Sequence, residues 1–331
     1  MNLLPKVSVV IPVYNVKEHI EKCARSLFEQ TLDSIEYIFV DDASPDNSIE
    51  ILQMILKEYP NRARQTHIIS LTTNRGLPSA RKEGLQKATG EYVIHCDSDD
   101  WIDKDLYLKM YDEAKANNAD MVLCDIKHEY KNKCIEEIIG PINTSGKWIM
   151  QNLHRFPFKM YTINKLVKRE IYYKYSIFPW EGINIWEDMG LSTRLLYNCE
   201  TISQVRHTFY HYNRGNDTAL THNLTYDKVN EIISIIQKVD DYYREKSDYK
   251  DFETSISWLK FNARANLING SFKQYQIYRK TFPGSQKVIK YANLKGLDWK
   301  LVFRYKLAYY NLAFLFVLME KLINLFPIAK V

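Results

Sequence analysis

The chain has 331 residues, 46% of them hydrophobic, so it is long enough to bury a large core and to form two units. Its 45 Lys and Arg against 40 Asp and Glu give a net charge of +5, too small an excess to indicate nucleic-acid binding, and no nucleic-acid partner is expected. The five cysteines are scattered and form no Cys-x-x-Cys pair, which favours a reducing compartment and argues against a disulfide framework or a zinc ribbon.

The first apolar run, residues 7–13, is broken by Pro12 and lacks a basic start and a clear cleavage site. A signal peptide is therefore not expected, and we expect a cytoplasmic chain.

Strands and helices alternate through the first hundred residues. Residues 7–11 are apolar and β-branched without clean alternation, which is typical of a strand buried on both faces of a parallel sheet. Similar patterns predict strands at 35–40, 66–71 and 92–94, separated by helices that begin near residues 17, 48 and 79. The short connections predict a largely parallel sheet with right-handed crossovers.

Polar clusters follow three of these strands, at residues 12–15, 41–48 and 97–100. In parallel sheets, ligands bind beyond the carboxyl ends of the strands, so the three clusters predict one site. Asp97, Asp99 and Asp100 offer hard oxygen ligands suited to Mg²⁺ or Mn²⁺ shared with substrate phosphates. The alternative is an Asp-rich turn that caps the next helix.

Four further polar residues near these strand ends allow two interpretations each. Asp41 and Asp42 could accept hydrogen bonds from a base and a ribose, or form a turn and a helix start. Arg75 and Arg81 could clamp diphosphate oxygens or lie on a solvated helix face; binding is favoured for Arg81 and the solvated face for Arg75.

Known glycine-rich nucleotide loops are absent from the sequence. No Gly-x-Gly-x-x-Gly follows the first strand, and no Gly-x-x-x-x-Gly-Lys-Ser/Thr occurs. This disfavours a dinucleotide dehydrogenase and a P-loop enzyme. It also disfavours a sugar-nucleotide pyrophosphorylase, which would use a similar sheet with a glycine-rich loop after the first strand.

Together the motifs of the first third resemble a family 2 glycosyltransferase. The segments that carry the resemblance are Val9-Val10-Ile11-Pro12-Val13-Tyr14-Asn15, Val40-Asp41-Asp42-Ala43-Ser44-Pro45-Asp46, Asn74-Arg75-Gly76 with Ala80-Arg81, and Gly90-Glu91-Tyr92 through Asp97-Ser98-Asp99-Asp100. The resemblance implies an α/β, GT-A-type, Rossmann-like, mostly parallel sheet flanked by helices, with a C-terminal helical extension. It also implies inverting transfer of a hexosyl or N-acetylhexosaminyl group from a nucleotide-diphosphate donor to an acceptor hydroxyl.

The resemblance also implies residue roles. Donor-binding residues would be Pro12, Tyr14, Asn15, Asp41, Asp42, Arg81, Asp97, Lys165 and Arg214. Asp99 would ligate a divalent metal, Mn²⁺ or Mg²⁺, and UDP is the expected nucleotide by family habit. Asp188 would be the catalytic base, with Glu187 as the alternative.

The residues of the later segments leave other interpretations open. Glu187 and Asp188 begin a helical run, where carboxylates are also ordinary partners of the helix dipole. Lys165 could equally be a surface lysine. His207 and His211 have helix-compatible metal spacing, but the residues between them are typical of a strand, and zinc is disfavoured. Residues 127–159 are expected to be irregular and to shape the acceptor side.

We expect a catalytic domain at 1–220 and a helical region at 221–331, with helices at 229–243, 255–268 and 272–280. Residues 301–328 are apolar and aromatic with flanking lysines, but their uninterrupted part, 307–319, is too short to span a bilayer comfortably. They either lie on an anionic membrane surface, at the inner face of the cell membrane, or pack on the catalytic domain or a second copy.

The expected acceptor is a glycan or a lipid-linked molecule in surface polysaccharide synthesis. The alternative outside catalysis is a sugar-nucleotide-binding scaffold protein at the membrane.

Overall fold

The computed structural model describes residues 4–140, 142–156, 158–216, 225–267, 272–295 and 297–318. The chain forms two compact units. Unit 1 comprises Met1–Lys147 and Met160–His222, and unit 2 comprises Trp148–Lys159 and Asn223–Val331.

The strands in the described part of the chain are β1 (Val7–Val13), β2 (Ile35–Asp41), β3 (Thr66–Ser70), β4 (Tyr92–His95), β5 (Trp101–Ile102), β6 (Met121–Tyr130), β7 (Lys133–Glu137), β8 (Lys165–Lys168) and β9 (Ile202–Asn213). The α-helices are α1 (Ile20–Phe28), α2 (Ser48–Leu56), α3 (Pro60–Ala63), α4 (Leu77–Lys87), α5 (Leu106–Ala116), α6 (Gly146–Asn152), α7 (Arg169–Lys174), α8 (Glu187–Asn198), α9 (Tyr226–Arg244), α10 (Glu253–Ala265), α11 (Phe272–Lys280) and α12 (Trp299–Tyr309).

The strands form one sheet in the order β3-β2-β1-β4-β8-β6-β9-β5, and β7 pairs with the second half of β6. The first four strands are parallel neighbours. Beyond them the sheet is mixed, because β8 enters between β4 and β6 and runs antiparallel to both. The predicted α/β class and the parallel first half are confirmed.

The central strand β1 explains why the first half of the sheet is so regular. All seven of its residues are buried, and it pairs with β2 on one side and β4 on the other. Its unbroken apolar sequence suits a strand that is covered by helices on both faces. On one face lies the amphipathic helix α1, which buries Ile20, Cys23, Ala24, Leu27 and Phe28.

The segment predicted to be irregular, residues 127–159, contains regular structure, so that prediction is wrong. Strand β6 continues to Tyr130 and turns directly into β7, giving a hairpin in which Glu129 is opposite Cys134. Four of the five residues of β7 are exposed, and that exposure hid the strand from a search for apolar runs.

In unit 2, the helices predicted at 229–243, 255–268 and 272–280 are confirmed as α9, α10 and α11, with ends shifted by a few residues. The apolar stretch predicted from residue 301 is not one continuous helix, because α12 ends before Asn311, whose φ is +60°. The part from residue 319 onward lies outside the described residues. Of the helices in the described part of the chain, none is long and apolar enough to cross a membrane.

The helix α4 approaches the sheet closely at Gly84. A Cβ atom there would lie 2.5 Å from Val10 Cγ1 and 3.2 Å from Val40 Cγ2. Since α4 carries Arg81, this close contact fixes the height of that side chain above the sheet.

We predict that Gly84→Ala destabilises the protein by about 1–3 kcal/mol, although alanine is the better helix former, because the added methyl group overpacks the contact with β1. Urea unfolding would measure the change. Gly140→Ala, where a Cβ would meet nothing within 4 Å, is the matched control and should be close to neutral. A stability gain in Gly84→Ala equal to the helix-propensity difference would contradict the close packing.

Candidate active site

The loops that follow β1 and β2 are joined by hydrogen bonds. Asn15 N donates to Ser44 Oγ at 2.8 Å, and Lys17 N donates to Asp46 Oδ2 at 2.9 Å. Asn15 has a positive φ of 54°, and Tyr14 beside it is 47% exposed. The first two polar clusters therefore form one connected edge, on which Tyr14 presents a ring to solvent.

The paired carboxylates after β2 are used to shape loops. The buried Asp42 accepts hydrogen bonds from Arg75 N at 2.7 Å and Gly76 N at 2.8 Å, one on each oxygen. Asp41 Oδ1 accepts from Ser44 N at 2.8 Å, which is the predicted turn. The contacts of Asp41 and Asp42 with a nucleoside, like those of Pro12, Tyr14 and Asn15, stay predictions.

The loop held by Asp42 touches the segment that leads into α8. Gly76 has a φ of +85°, and a Cβ there would lie 2.3 Å from Asn184 Oδ1. Two residues after Asn184, Trp186 has a φ of +61°, a costly conformation for an aromatic residue. Helix α8 begins directly after it. The loop near β2 is thereby brought next to the candidate base.

Asp100 anchors the acidic loop after β4. Its buried carboxylate accepts from the Tyr210 hydroxyl at 2.6 Å and from Asn213 N at 2.7 Å. The same hydroxyl accepts a hydrogen bond from Asp97 N at 3.0 Å. Burial and the charges of Asp99 and Asp97 raise the pKa of Asp100 well above its ordinary value. Asp100 is therefore a structural carboxylate that fastens the loop to β9.

Asp97 and Asp99, in contrast, are only half-buried. Asp99 Oδ2 accepts from Asn216 Nδ2 at 2.7 Å, and burial together with the charge of Asp97 raises the pKa of Asp99. No group of three or more His, Cys, Asp or Glu in the described ranges could hold a metal by itself. Two half-buried carboxylates do fit Mg²⁺ or Mn²⁺, which proteins commonly bind through one or two carboxylates while substrate phosphates and water complete the shell.

Arg81 lies buried between the acidic loop and α8. Its Nη2 is 2.7 Å from Asp97 Oδ1, and its Nε is 3.0 Å from Glu187 Oε1. Although burial alone lowers the pKa of Arg81, the charges of Asp97 and Glu187 raise it above its ordinary value, so the guanidinium stays charged. The predicted contact of Arg81 with a diphosphate stays a prediction. What is present is a bridge between two protein carboxylates.

The two carboxylates at the start of α8 have different surroundings. Glu187 is 4% exposed, and burial raises its pKa to about 7. Asp188 is half-buried, and its Oδ1 accepts a hydrogen bond from Met189 N at 2.8 Å. Burial raises the pKa of Asp188 too, against the opposing charges of Arg81 and Lys165. Of the pair, Asp188 is the one that reaches solvent.

Lys165 is buried, at 1% exposure, so the interpretation as a surface lysine is wrong. Its ammonium donates to the Tyr161 carbonyl and, at 3.0 Å, to Asn164 Oδ1. Burial lowers the pKa of Lys165 to about 7, and the charge of Asp188 opposes this shift. The structure thus brings Lys165 into the electrostatic range of the candidate base.

Arg214 packs on Tyr212, which in turn stacks on Tyr161. Its guanidinium lies 4.2 Å from the centre of the Tyr212 ring, and its Nε donates to His128 Nδ1 at 3.3 Å. Tyr212 stacks on Tyr161, with ring centroids 6.1 Å apart. Arg214 therefore lies near the segment that carries Lys165, while its predicted contact with the donor stays a prediction.

The two histidines of β9 lie in separate surroundings. His211 bonds to Glu129 at 2.8 Å and Asp103 at 3.0 Å and stacks on Trp101. His207 is exposed, with a φ of 56°, beside a register shift in the pairing of β6 with β9. The strand predicted between them is confirmed.

Sequence reasoning missed Tyr210 and Asn216 as partners of the acidic loop. Each lies more than 100 positions from the aspartate it contacts. The available signal was the strand pattern around Tyr210. This strand, β9, pairs with β5 and so places Tyr210 opposite Ile102, just after the acidic loop.

Comparison with known proteins identifies the family. A putative glycosyltransferase of Bacillus subtilis, EpsH, is 30% identical over 284 residues, which cover 84% of this chain and 74% of EpsH. The model of glycosyl transferase family 2 matches residues 8–172. The chain belongs to this family. The uncharacterized glycosyltransferase EpsJ of the same organism is 29% identical over 228 residues, 66% of this chain and 64% of EpsJ.

Solved structures agree with this at the level of the fold. S. aureus TarS 1–349 in complex with UDP matches with a TM-score of 0.71 at 17% identity, over 96% of this chain and 90% of that one. The fold is thus GT-A-type, as the sequence predicted. Family membership, together with the glycosyltransferase relatives, makes the protein a glycosyltransferase.

We predict that Tyr210→Phe loosens the acidic loop. Loss of the hydroxyl removes one of the two hydrogen-bond donors of the buried Asp100, at a cost of about 1–3 kcal/mol in stability, and raises the KM for the donor. Tyr92→Phe is the matched control, because the buried Tyr92 hydroxyl donates to the Ala119 carbonyl at 3.0 Å, outside the loop. If both variants leave the donor KM unchanged, Tyr210 does not position the loop.

We also predict a pH-dependent stability effect at Lys165. Its folded-state pKa of about 7 lies below the ordinary lysine value of 10.5, so between these pH values the unfolded chain binds the extra proton and stability rises with pH. Lys165→Met removes this dependence. Its Tm advantage over the wild type should therefore be largest near pH 6 and shrink by a few °C toward pH 10. A constant difference across that range would contradict a depressed Lys165 pKa.

Proposed function

We propose that this glycosyltransferase moves a hexosyl or N-acetylhexosaminyl group from a UDP-sugar to a hydroxyl of a glycan or lipid-linked acceptor, with inversion, in surface polysaccharide synthesis. We further propose that it works in the cytoplasm, at the inner face of the cell membrane. The solved TarS complex with UDP, a protein of the same fold, supports the choice of nucleotide.

The observation that carries the proposal is the Arg81 bridge. It joins Asp97, on the loop suited to a diphosphate, to Glu187, the neighbour of the candidate base. A transferase needs both groups at one reacting centre, because the leaving diphosphate and the attacking hydroxyl meet at the same sugar carbon. The bridge brings the acidic loop and the start of α8 into contact with the same buried guanidinium.

On the donor side, we assign the nucleoside to the connected loops after β1 and β2 and the diphosphate to the acidic loop. Asp99, with Asp97, would hold Mg²⁺ or Mn²⁺. When bound, the metal would neutralise charge that develops on the leaving diphosphate. Arg214 is a cationic side chain of this region that would attract phosphate oxygens, and Lys165 would do so in its protonated form.

On the acceptor side, we assign Asp188 as the general base. An acceptor hydroxyl is a poor nucleophile and must lose its proton as it attacks. Asp188 accepts that proton in its ionised form, which burial destabilises and the charges of Arg81 and Lys165 partly stabilise. Glu187 cannot easily take the role, because it is buried against Arg81.

We predict that Asp99→Asn lowers metal-dependent UDP release by about 10²-fold or more, since loss of the carboxylate removes a metal ligand and the charge stabilisation it supports. The measurement is UDP release from a panel of UDP-sugars with Mn²⁺ or Mg²⁺, followed by mass spectrometry of the product. Asp112→Asn, an exposed change on α5, is the control. Unchanged turnover in Asp99→Asn would overturn the metal assignment.

A second pair of variants separates the two carboxylates of α8. We predict that Asp188→Asn keeps donor affinity but lowers kcat by about 10²–10⁴-fold, because only proton removal from the acceptor is lost. Glu187→Gln should instead alter the Arg81 bridge and weaken donor binding. Isothermal titration with UDP and steady-state kinetics distinguish these outcomes. Loss of UDP binding in Asp188→Asn would move Asp188 to the donor side, and donor binding without turnover in the wild type would favour a scaffold protein.

A further inference from the structure

The charges of this chain are segregated along the sequence. Between residues 254 and 318 there are eleven Lys and Arg and one acidic residue, Asp298, whereas residues 1–253 contain 38 acidic and 32 basic residues. The modest net charge of the whole chain therefore hides a strongly basic segment. Eight of its eleven cations are exposed.

The single carboxylate of this segment does little to offset the cations. Asp298 accepts hydrogen bonds from Lys300 N at 2.9 Å and Leu301 N at 3.3 Å, and so caps α12. Two of the cations have structural roles inside unit 2. Lys260 pairs with Asp240 at 2.6 Å, and Arg264 donates to the Phe282 carbonyl at 2.9 Å.

Helix α12 carries aromatic side chains on both its buried face and its exposed face. One face is buried, where Tyr305 packs on Phe261 with ring centroids 4.7 Å apart and Ala308 is fully covered. The opposite face carries Trp299, Phe303, Lys306 and Tyr310, spaced by about one helical turn. Trp299 is 70% exposed, Phe303 38% and Tyr310 68%.

Exposed apolar side chains continue beyond the helix. Leu312, Phe314 and Leu318 are 39%, 37% and 40% exposed, while Ala313 and Val317 between them are buried in the core of unit 2. We call the exposed face formed by Trp299, Phe303, Lys306, Tyr310 and these three residues the α12 face. Buried neighbours hold it in place, and it presents aromatic rings and one lysine to solvent.

We propose that the α12 face docks on an anionic lipid bilayer. Aromatic rings are favoured at the boundary between headgroups and acyl chains, and surrounding lysines are attracted to anionic headgroups. A second copy of this chain fits less well, because an isologous dimer would bring two strongly basic surfaces together. The inference gives a surface to the membrane location proposed above and does not depend on the transfer chemistry.

The test is co-sedimentation of the full chain with phosphatidylcholine vesicles, with or without phosphatidylglycerol. We expect binding to the anionic vesicles alone, weakened by added salt because exposed charges are screened. Trp299→Ala/Phe303→Ala and Lys300→Glu/Lys306→Glu should each weaken binding by about tenfold or more. UDP release in solution without vesicles should be unchanged in both variants, so failure of docking and failure of the transferase assignment are separate results.

The matched control is Lys174→Glu/Tyr175→Ala in unit 1. Lys174 lies 4.9 Å above the exposed Tyr175 ring, as Lys300 lies 5.8 Å from that of Trp299. This control should bind vesicles like the wild type. Equal binding to neutral vesicles, or an equal loss of vesicle binding in the control variant, would overturn the proposal. So would self-association that the α12 variants abolish while the wild type binds no vesicles. A preference for a single-stranded oligonucleotide over anionic vesicles would also overturn it.

Discussion

One buried guanidinium determines how the candidate active site is assembled. Arg81 lies between Asp97 and Glu187, at 2.7 Å and 3.0 Å, and is almost fully removed from solvent. Burying charges is costly, and removing one partner leaves an uncompensated charge in the interior, so such a cluster tolerates few alternative arrangements. Without the cation, the carboxylates of the acidic loop and of α8 would repel one another. The position of Arg81 depends in turn on Gly84, which lets α4 approach the sheet.

Much of the fold could be predicted because it depends on local patterns. The apolar run of β1 reflects burial on both faces of a parallel sheet, and the helical period of α1 reflects burial on one. Parallel neighbours bring their carboxyl ends to one edge, so the strand pattern alone predicts that the three polar loops lie together. The helices of unit 2 followed from the same periodicity.

What could not be predicted depends on contacts between distant parts of the chain. Nothing in the sequence near Arg81 indicates that Glu187 is its partner, since 106 positions separate them. Lys165 has the polarity of a surface residue, and its burial follows from the antiparallel insertion of β8 between β4 and β6. The left-handed Trp186 likewise has no local signal, because this conformation is imposed by the surrounding structure rather than preferred by the residue.

The acidic residues of the site show why a motif alone does not assign roles. Asp42, Asp100 and Glu187 are buried, and each is compensated by a protein partner: two backbone amides, a tyrosine hydroxyl with an amide, or a guanidinium. Asp99 and Asp188 are half-buried and reach solvent. A carboxylate that stabilises the fold gains from having its oxygens engaged, whereas one that binds a metal or a proton must keep an oxygen accessible. By that criterion the first three residues build the site, which supports the proposal that Asp99 and Asp188 are the reactive ones.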